Sequence, residues 1–167
     1  MRASTGLGSL GLAALLAGCA GFASGPRFAD APVPDPFSDK AVLYVFRDHA
    51  VPEEAVAFFD VNGEEAVGLR QRGFSWFYLG AGAHEFQYRW SLTTWITRVP
   101  MPRVRMTKTV EAGRTYVVEL RADVEPKPFI IRSRAWLLSH DPDEGFERIR
   151  ICCHFVPPTR RDFGDRT

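Results

Sequence analysis

The chain has 167 residues, with 21 Lys and Arg against 20 Asp and Glu, and 13% of it is aromatic. That length suits one domain with its own core and is short for two. Balanced charge excludes the basic footprint of a nucleic-acid binder, and the aromatic content argues for a packed interior over disorder.

At the N-terminus, Arg2 precedes an apolar run over residues 7–16. A positive residue followed by about ten apolar ones is the pattern of a secretion signal, whereas a membrane-crossing helix needs about 20. The run ends in Leu16-Ala17-Gly18-Cys19, which resembles the lipobox of bacterial lipoproteins. The resemblance implies a diacylglyceryl group on the Cys19 sulfur, cleavage before Cys19 and acylation of the new amine. An ordinary signal peptide in which small residues precede a cysteine is the plainer alternative. Several acyl chains anchor stably where a single one is marginal. Ala20, and not Asp, follows the cysteine. By similarity to enterobacterial sorting, this favours the outer membrane, with the body facing the periplasm. Removal of residues 1–18 takes away Arg2 and leaves 20 basic and 20 acidic residues. Long-range steering of a strongly charged partner is therefore not expected.

Residues 19–39 carry Pro26, Pro32, Pro34 and Pro36 and no periodic apolar pattern, so they read as a lipidated flexible tether. The apolar, β-branched and aromatic run 41–47 reads as a first strand. A second strand over 56–61 meets Asn62-Gly63, a strong hairpin signal, and 66–69 returns as the third. In 84–90, His84, Phe86, Tyr88 and Trp90 alternate with Glu85, Gln87 and Arg89, the period of a strand with one buried face. With the aromatic run 74–79 and the intervening Gly80-Ala81-Gly82, stretch 74–90 is expected to be a β-hairpin with rings on its inner face. Residues 91–102 are ambiguous because Pro100 and Pro102 interrupt a ladder. Strands are expected over 103–110, where Lys108 is the one charge on the apolar side, over 115–121 and over 129–138. Asp141-Pro142-Asp143-Glu144 matches a helix start, with Asp as cap and Pro at the first helical position. Phe146, Ile149 and Cys153 then form one apolar stripe, while Gly145 weakens the helix by about 1 kcal/mol. The expected fold is all-β: an antiparallel sandwich of seven to eight strands over 40–156, a short C-terminal helix covering an edge or an end, and a polar tail over 157–167.

Several of these motifs, in this order, resemble a family of small bacterial lipoproteins of uncharacterised function. They are the strand Ala41-Val42-Leu43-Tyr44-Val45-Phe46-Arg47, the short hairpin around Asn62-Gly63, the aromatic strand closing on Gly82-Ala83-His84, and Ala112-Gly113-Arg114-Thr115-Tyr116. The likeness spans about residues 40–122. It implies a prealbumin-like β-sandwich on a lipid tether, of a kind found as accessory domains in the bacterial envelope, and it brings no catalytic residues.

Cys152-Cys153-His154 is the most conspicuous chemical cluster. Adjacent cysteines do not readily face one metal ion, and His140 would join them only if the fold brought it round. A disulfide between Cys152 and Cys153 in an oxidising compartment and a buried, unbridged Cys153 both remain open. His84-Glu85 lacks the second histidine of a zincin, since Tyr88 stands in its place. The glycines at 80 and 82 do not complete a dinucleotide loop, and 141–145 lacks the further acids of a calcium loop. No metal, cofactor or catalytic residue is expected. Two surfaces are candidates for binding an envelope protein or a glycan. One is a stacking platform drawn from Trp76, Trp90, Trp95 and Trp136. The other is an arginine stripe of Arg103, Arg105, Arg132 and Arg134, suited to phosphates or an acidic patch. The expectation is a lipid-anchored envelope module that binds or supports without catalysis. The competing class is a periplasmic hydrolase or thiol-redox enzyme using His84, His140, Cys152 and Cys153.

Overall fold

The computed structural model describes residues 21–35, 39–50, 53, 55–91, 102–127 and 130–164. The expected signal peptide, Cys19 and Trp95 lie outside the described residues. The described chain is mostly β. Its strands are β1 (Lys40–Arg47), β2 (Ala57–Val61), β3 (Glu64–Leu69), β4 (Gly73–Gly80), β5 (Gly82–Trp90), β6 (Val104–Val110), β7 (Thr115–Lys127), β8 (Ile130–His140), β9 (His154–Phe155) and β10 (Asp162–Phe163), with one helix, α1 (Pro142–Cys152), before β9. They form two sheets. One is ordered β10-β4-β1-β7-β8 with β9 also on β4, and the other is ordered β3-β2-β5-β6.

β1 explains the architecture because it is buried on both faces. Leu43 and Val45 point between the sheets and join Phe59, Phe77, Phe86, Tyr88, Val118 and Leu120 in the inner core. Val42, Tyr44 and Phe46 point the other way and join Phe74, Trp76, Val117, Ile149 and Phe155 in a second core. A strand buried on both faces reads as a continuous apolar run, as 41–46 does. Each fully buried large apolar side chain contributes about 1.5–3 kcal/mol. The inner core also holds stacked rings, Phe59 on Phe77 with centroids 6.2 Å apart.

The second core exists because α1 lies across the outer face of the larger sheet, where an edge or end had been expected. Asp141 caps the helix by accepting from the Asp143 N–H, and Pro142 occupies its first position. Ile149 and Cys153 are buried and Phe146 packs partly against the same cluster. Gly145 sits where the helix comes closest to the sheet: a Cβ there would lie 2.5 Å from Val117 Cγ1.

Four expectations are corrected. First, stretch 74–90 is no hairpin. β4 pairs with β1 and β5 pairs with β2 and β6, so Gly80-Ala81-Gly82 carries the chain from one sheet to the other. Gly82 takes a φ of 128°, which suits glycine. Second, the larger sheet is mixed, because β1 runs parallel to β7 and both β9 and β10 run parallel to β4. The strands among the described residues number ten, above the seven to eight expected.

Third, the expected tether is packed chain over 21–35. The Ala23 N–H donates to the Gln71 carbonyl at 2.9 Å, and the Phe155 N–H to the Pro26 carbonyl at 2.7 Å. A 3-10 turn at Phe28–Asp30 presses Phe28 onto Phe74 and Phe146. Fourth, the expected polar tail supplies β10, whose Phe163 enters the inner core against Phe77. Proline content marks the first segment as linker and polarity marks the second. Isolated aromatics, Phe28 in the one and Phe163 in the other, nevertheless dock them, and backbone bonds such as Tyr78 N–H to the Arg161 carbonyl fix them.

Candidate functional site: the two faces of the larger sheet

The residues with chemical potential fall on opposite sides of the larger sheet. His84 belongs to the inner side, stacked on Phe86 at 6.5 Å. Its Nε2 donates to the Gly80 carbonyl at 2.8 Å, and its Nδ1 takes the Asn62 amide at 2.9 Å. The same Asn62 accepts from the Glu85 N–H at 3.0 Å. Asn62 itself, with a φ of 53°, sits beside Gly63 in the β2–β3 turn. Both nitrogens of His84 are therefore spent in tying that turn to the sheet-to-sheet crossover.

His140 lies on the outer face at the end of β8, its ring 5.8 Å from Phe46. Its Nε2 is 2.8 Å from Glu119 Oε2, and its Nδ1 is 3.5 Å from Glu144 Oε1. Arg148 from α1 reaches the same Glu119 at 2.9 Å. Glu119, on β7, is only 2% exposed. A carboxylate buried this far needs compensating partners, and here an arginine and a histidine supply them. The cluster clamps α1 onto β7 and β8. The strand expected over 115–121 does not by itself reveal this role for Glu119, because the helix that covers it comes from a distant stretch of the chain.

Beyond the helix, the same outer face continues as the β7–β8 ribbon. Arg121, Asp123, Trp136 and Leu138 line an open groove of about 190 Å³ there. Trp136 and Leu138 are half-buried, and Arg121 and Asp123 are exposed. Here an expected binding tryptophan, Trp136, shares an open groove with one basic and one acidic side chain. Trp76 is instead 2% exposed in the second core, with its Nε1 donating to the Pro32 carbonyl at 2.8 Å. Trp90 packs on Tyr88 at 5.0 Å. The tryptophans thus form no common platform among the described residues.

Nor do the arginines form one stripe. Arg103 and Arg105 are exposed at β6, in the smaller sheet, where Arg105 lies 3.8 Å from Glu85. Arg134 is exposed on β8, in the larger sheet, and Arg132 is placed by register opposite Glu125. Lys108, the charge on the apolar side of β6, reaches Ser139 on β8 at 3.0 Å and so bridges the two sheets along one edge. Its ammonium also lies 5.2 Å from the Tyr116 ring.

Cys152 and Cys153 are bridged to each other at the C-terminal end of α1. Cys153 is buried in the second core and Cys152 is half-buried. His154 has its Nδ1 on the Gly25 carbonyl at 2.7 Å. Among the described residues no group of His, Cys, Asp and Glu is arranged to hold a metal ion.

One further buried ion escaped the sequence reading. Arg47 closes β1 and is fully buried. It donates to the carbonyls of Ala55, Leu69 (3.2 Å) and Ala50 (2.9 Å). Its guanidinium lies 4.9 Å from the Trp90 ring. Burial pushes the neighbouring Tyr88 hydroxyl pKa far up, partly opposed by this cation. The available signal was a charge ending the apolar and aromatic run 41–46. No family model, curated protein or solved structure matches the chain.

Proposed function

We propose that the chain is a lipoprotein of the bacterial envelope, held to the outer membrane by acyl chains on Cys19 and facing the periplasm. On this reading it acts as a non-catalytic binding or structural module. The observation that carries it is Leu16-Ala17-Gly18-Cys19 at the end of an apolar run too short to span a bilayer. Support for the non-catalytic half comes from the engagement of its reactive groups. His84 locks a turn, His140 and Glu119 clamp the helix, and Arg47 caps carbonyls in the interior. Among the described residues no helix is long and apolar enough to cross a membrane. The groove at Trp136 and Arg121 is the surface best suited to a ligand or partner segment. Its aromatic face, with Arg121 and Asp123 beside it, is of a chemistry that an envelope glycan or protein segment could use.

The test is metabolic labelling with an alkyne fatty acid, followed by membrane fractionation. The intact chain is expected to take the label and stay with the membrane, while Cys19→Ser loses both. Unlabelled, fully soluble wild-type protein would refute the anchor. The Cys152–Cys153 bridge favours one rival, a thiol-redox role. Double substitution Cys152→Ser/Cys153→Ser separates the two: a structural pair changes the melting temperature alone, and a redox pair also abolishes oxidation of a model dithiol. A hydrolase built jointly from His84 and His140 is disfavoured, since the larger sheet stands between them.

A further inference from the structure

If Cys19 is the lipidated residue, the packing of 21–35 decides how the body meets the membrane. A free spacer of about 20 residues would let the body roam roughly 25 Å from its anchor. The docked chain leaves no such freedom. Phe22 forms a parallel bridge with Gln71, and Gly21 accepts the Gln71 N–H at 3.3 Å. Two residues span at most about 7 Å, so the Cys19 Cα lies within that distance of Gly21. The headgroup layer on each side of a bilayer is about 5–8 Å deep. The surface around Gly21 therefore lies at the level of the lipid headgroups whenever the acyl chains are inserted.

That surface suits the role. Phe22 is one of the large apolar side chains left exposed, at 43%. The Arg72 guanidinium lies 5.4 Å from its ring. Arg70 and Arg72 flank Gln71 and both are exposed. Arg72 holds a left-handed φ of 53° at the tip of the turn. The turn is rigidly based, because the Leu69 carbonyl just before it is bound by buried Arg47. Exposed Arg27 joins the same end through its bridge to His154, whose N–H donates to the Arg72 carbonyl at 2.8 Å. Guanidinium groups bind phosphate through paired hydrogen bonds, and an aromatic ring enters the acyl boundary readily.

We propose that Phe22, Arg70 and Arg72 form a membrane-seating surface. It engages the phosphate headgroups of the leaflet that holds Cys19 and fixes the orientation of the sandwich on it. This rests on the lipoprotein reading above. It places the Glu111–Arg114 turn at the opposite end of β1, away from the bilayer. Gly113 bonds the start of β1 at Lys40, and Arg47, at the far end of that strand, pairs with Gly73 beside the seating turn. An eight-residue strand spans roughly 25 Å.

The experiment uses full-length protein processed in a bacterial host and returned to vesicles of phosphatidylethanolamine and phosphatidylglycerol. Benzoylphenylalanine replaces Phe22, Arg72 or Glu111 in separate preparations, and photo-adducts with lipid are counted by mass spectrometry. Positions 22 and 72 are expected to give several-fold more lipid adduct than position 111. In the position-22 preparation, Arg70→Glu/Arg72→Glu should bring the adduct down to the level of position 111. The same spectra read the N-terminus. An unmodified chain refutes the anchor and, with it, the surface. A lipidated chain with equal adducts at all three positions refutes the seating surface alone. Undiminished adducts in the charge-reversed variant would overturn the role of the arginines.

Discussion

Two buried ions lie near the end of β1, Arg47 on its inner face and Glu119 of the neighbouring β7 on the outer one, and they are held in different ways. On the inner face Arg47 is surrounded by backbone carbonyls and the Trp90 ring. It gathers residues 50, 55 and 69, so it pins the loops at one end of the sandwich. On the outer face Glu119 meets ionisable side chains, His140 and Arg148, of which Arg148 is 32% exposed. The first ion belongs to the interior, while the second sits at a seam between helix and sheet. Sheet-on-sheet contact seals the inner face along its length. The outer face depends on α1 and the N-terminal segment, and beyond the helix it opens into the Arg121–Trp136 groove.

The largest expected effect is at the inner ion. Arg47→Met leaves the carbonyls of Ala50, Ala55 and Leu69 without their donor, and each such loss costs about 1–3 kcal/mol. Urea unfolding should show a loss of at least ~4 kcal/mol, or no folded protein. A loss under ~1 kcal/mol would mean that the arginine is not the pin described here.

The outer face should also be sensitive to alkali. Burial raises the Tyr44 hydroxyl from 10.0 to about 12, with the nearby Tyr78 adding to the shift. A raised folded pKa means full stability below pH 10 and loss as pH climbs through about 12. The expected loss over that window is on the order of 2–3 kcal/mol. Tyr44→Phe should flatten this part of the melting-temperature profile. An unchanged profile would place the alkaline transition elsewhere.

Glu119→Gln keeps the shape and removes the charge at the seam. The expected cost is roughly 2 kcal/mol, with faster hydrogen exchange in α1 than in β1. Equal acceleration in both would show that the cluster does not specifically hold the helix. Gly145→Ala sets two opposed effects against each other. Helix propensity favours alanine by about 1 kcal/mol, and overpacking costs about 1–3 kcal/mol. The Val117 methyls are stiff and fully buried, so overpacking should win by about 1 kcal/mol. In a Val117→Ala background the same change should become neutral or stabilising by thermal melt. A stabilising Gly145→Ala in the native background would contradict the close approach.

Much of the local structure could be read in advance. Strands β1 to β8 stand near the expected stretches because alternation, β-branching and the Asn62-Gly63 turn are local signals. The Asp141-Pro142 cap marked α1 for the same reason. Pairing was not legible. Alternation in 84–90 reveals a buried face and says nothing about which strand lies beside it. Gly80-Ala81-Gly82 serves a hairpin or a crossover equally well. Gly21 to Asp35 looked like linker because its anchors are two bridges and a few rings, spaced without period. The site was harder still. Glu119 became a seam residue only when α1 covered it, and Trp76 left the binding surface because the N-terminal segment buried it.

The anchor is tested most directly by intact-mass and fragment spectrometry of the mature protein isolated from its own membranes. The account predicts a chain beginning at Cys19 that carries diacylglycerol on sulfur and an acyl group on its amine. A mature chain starting elsewhere, or starting at Cys19 with a free thiol and amine, would contradict it.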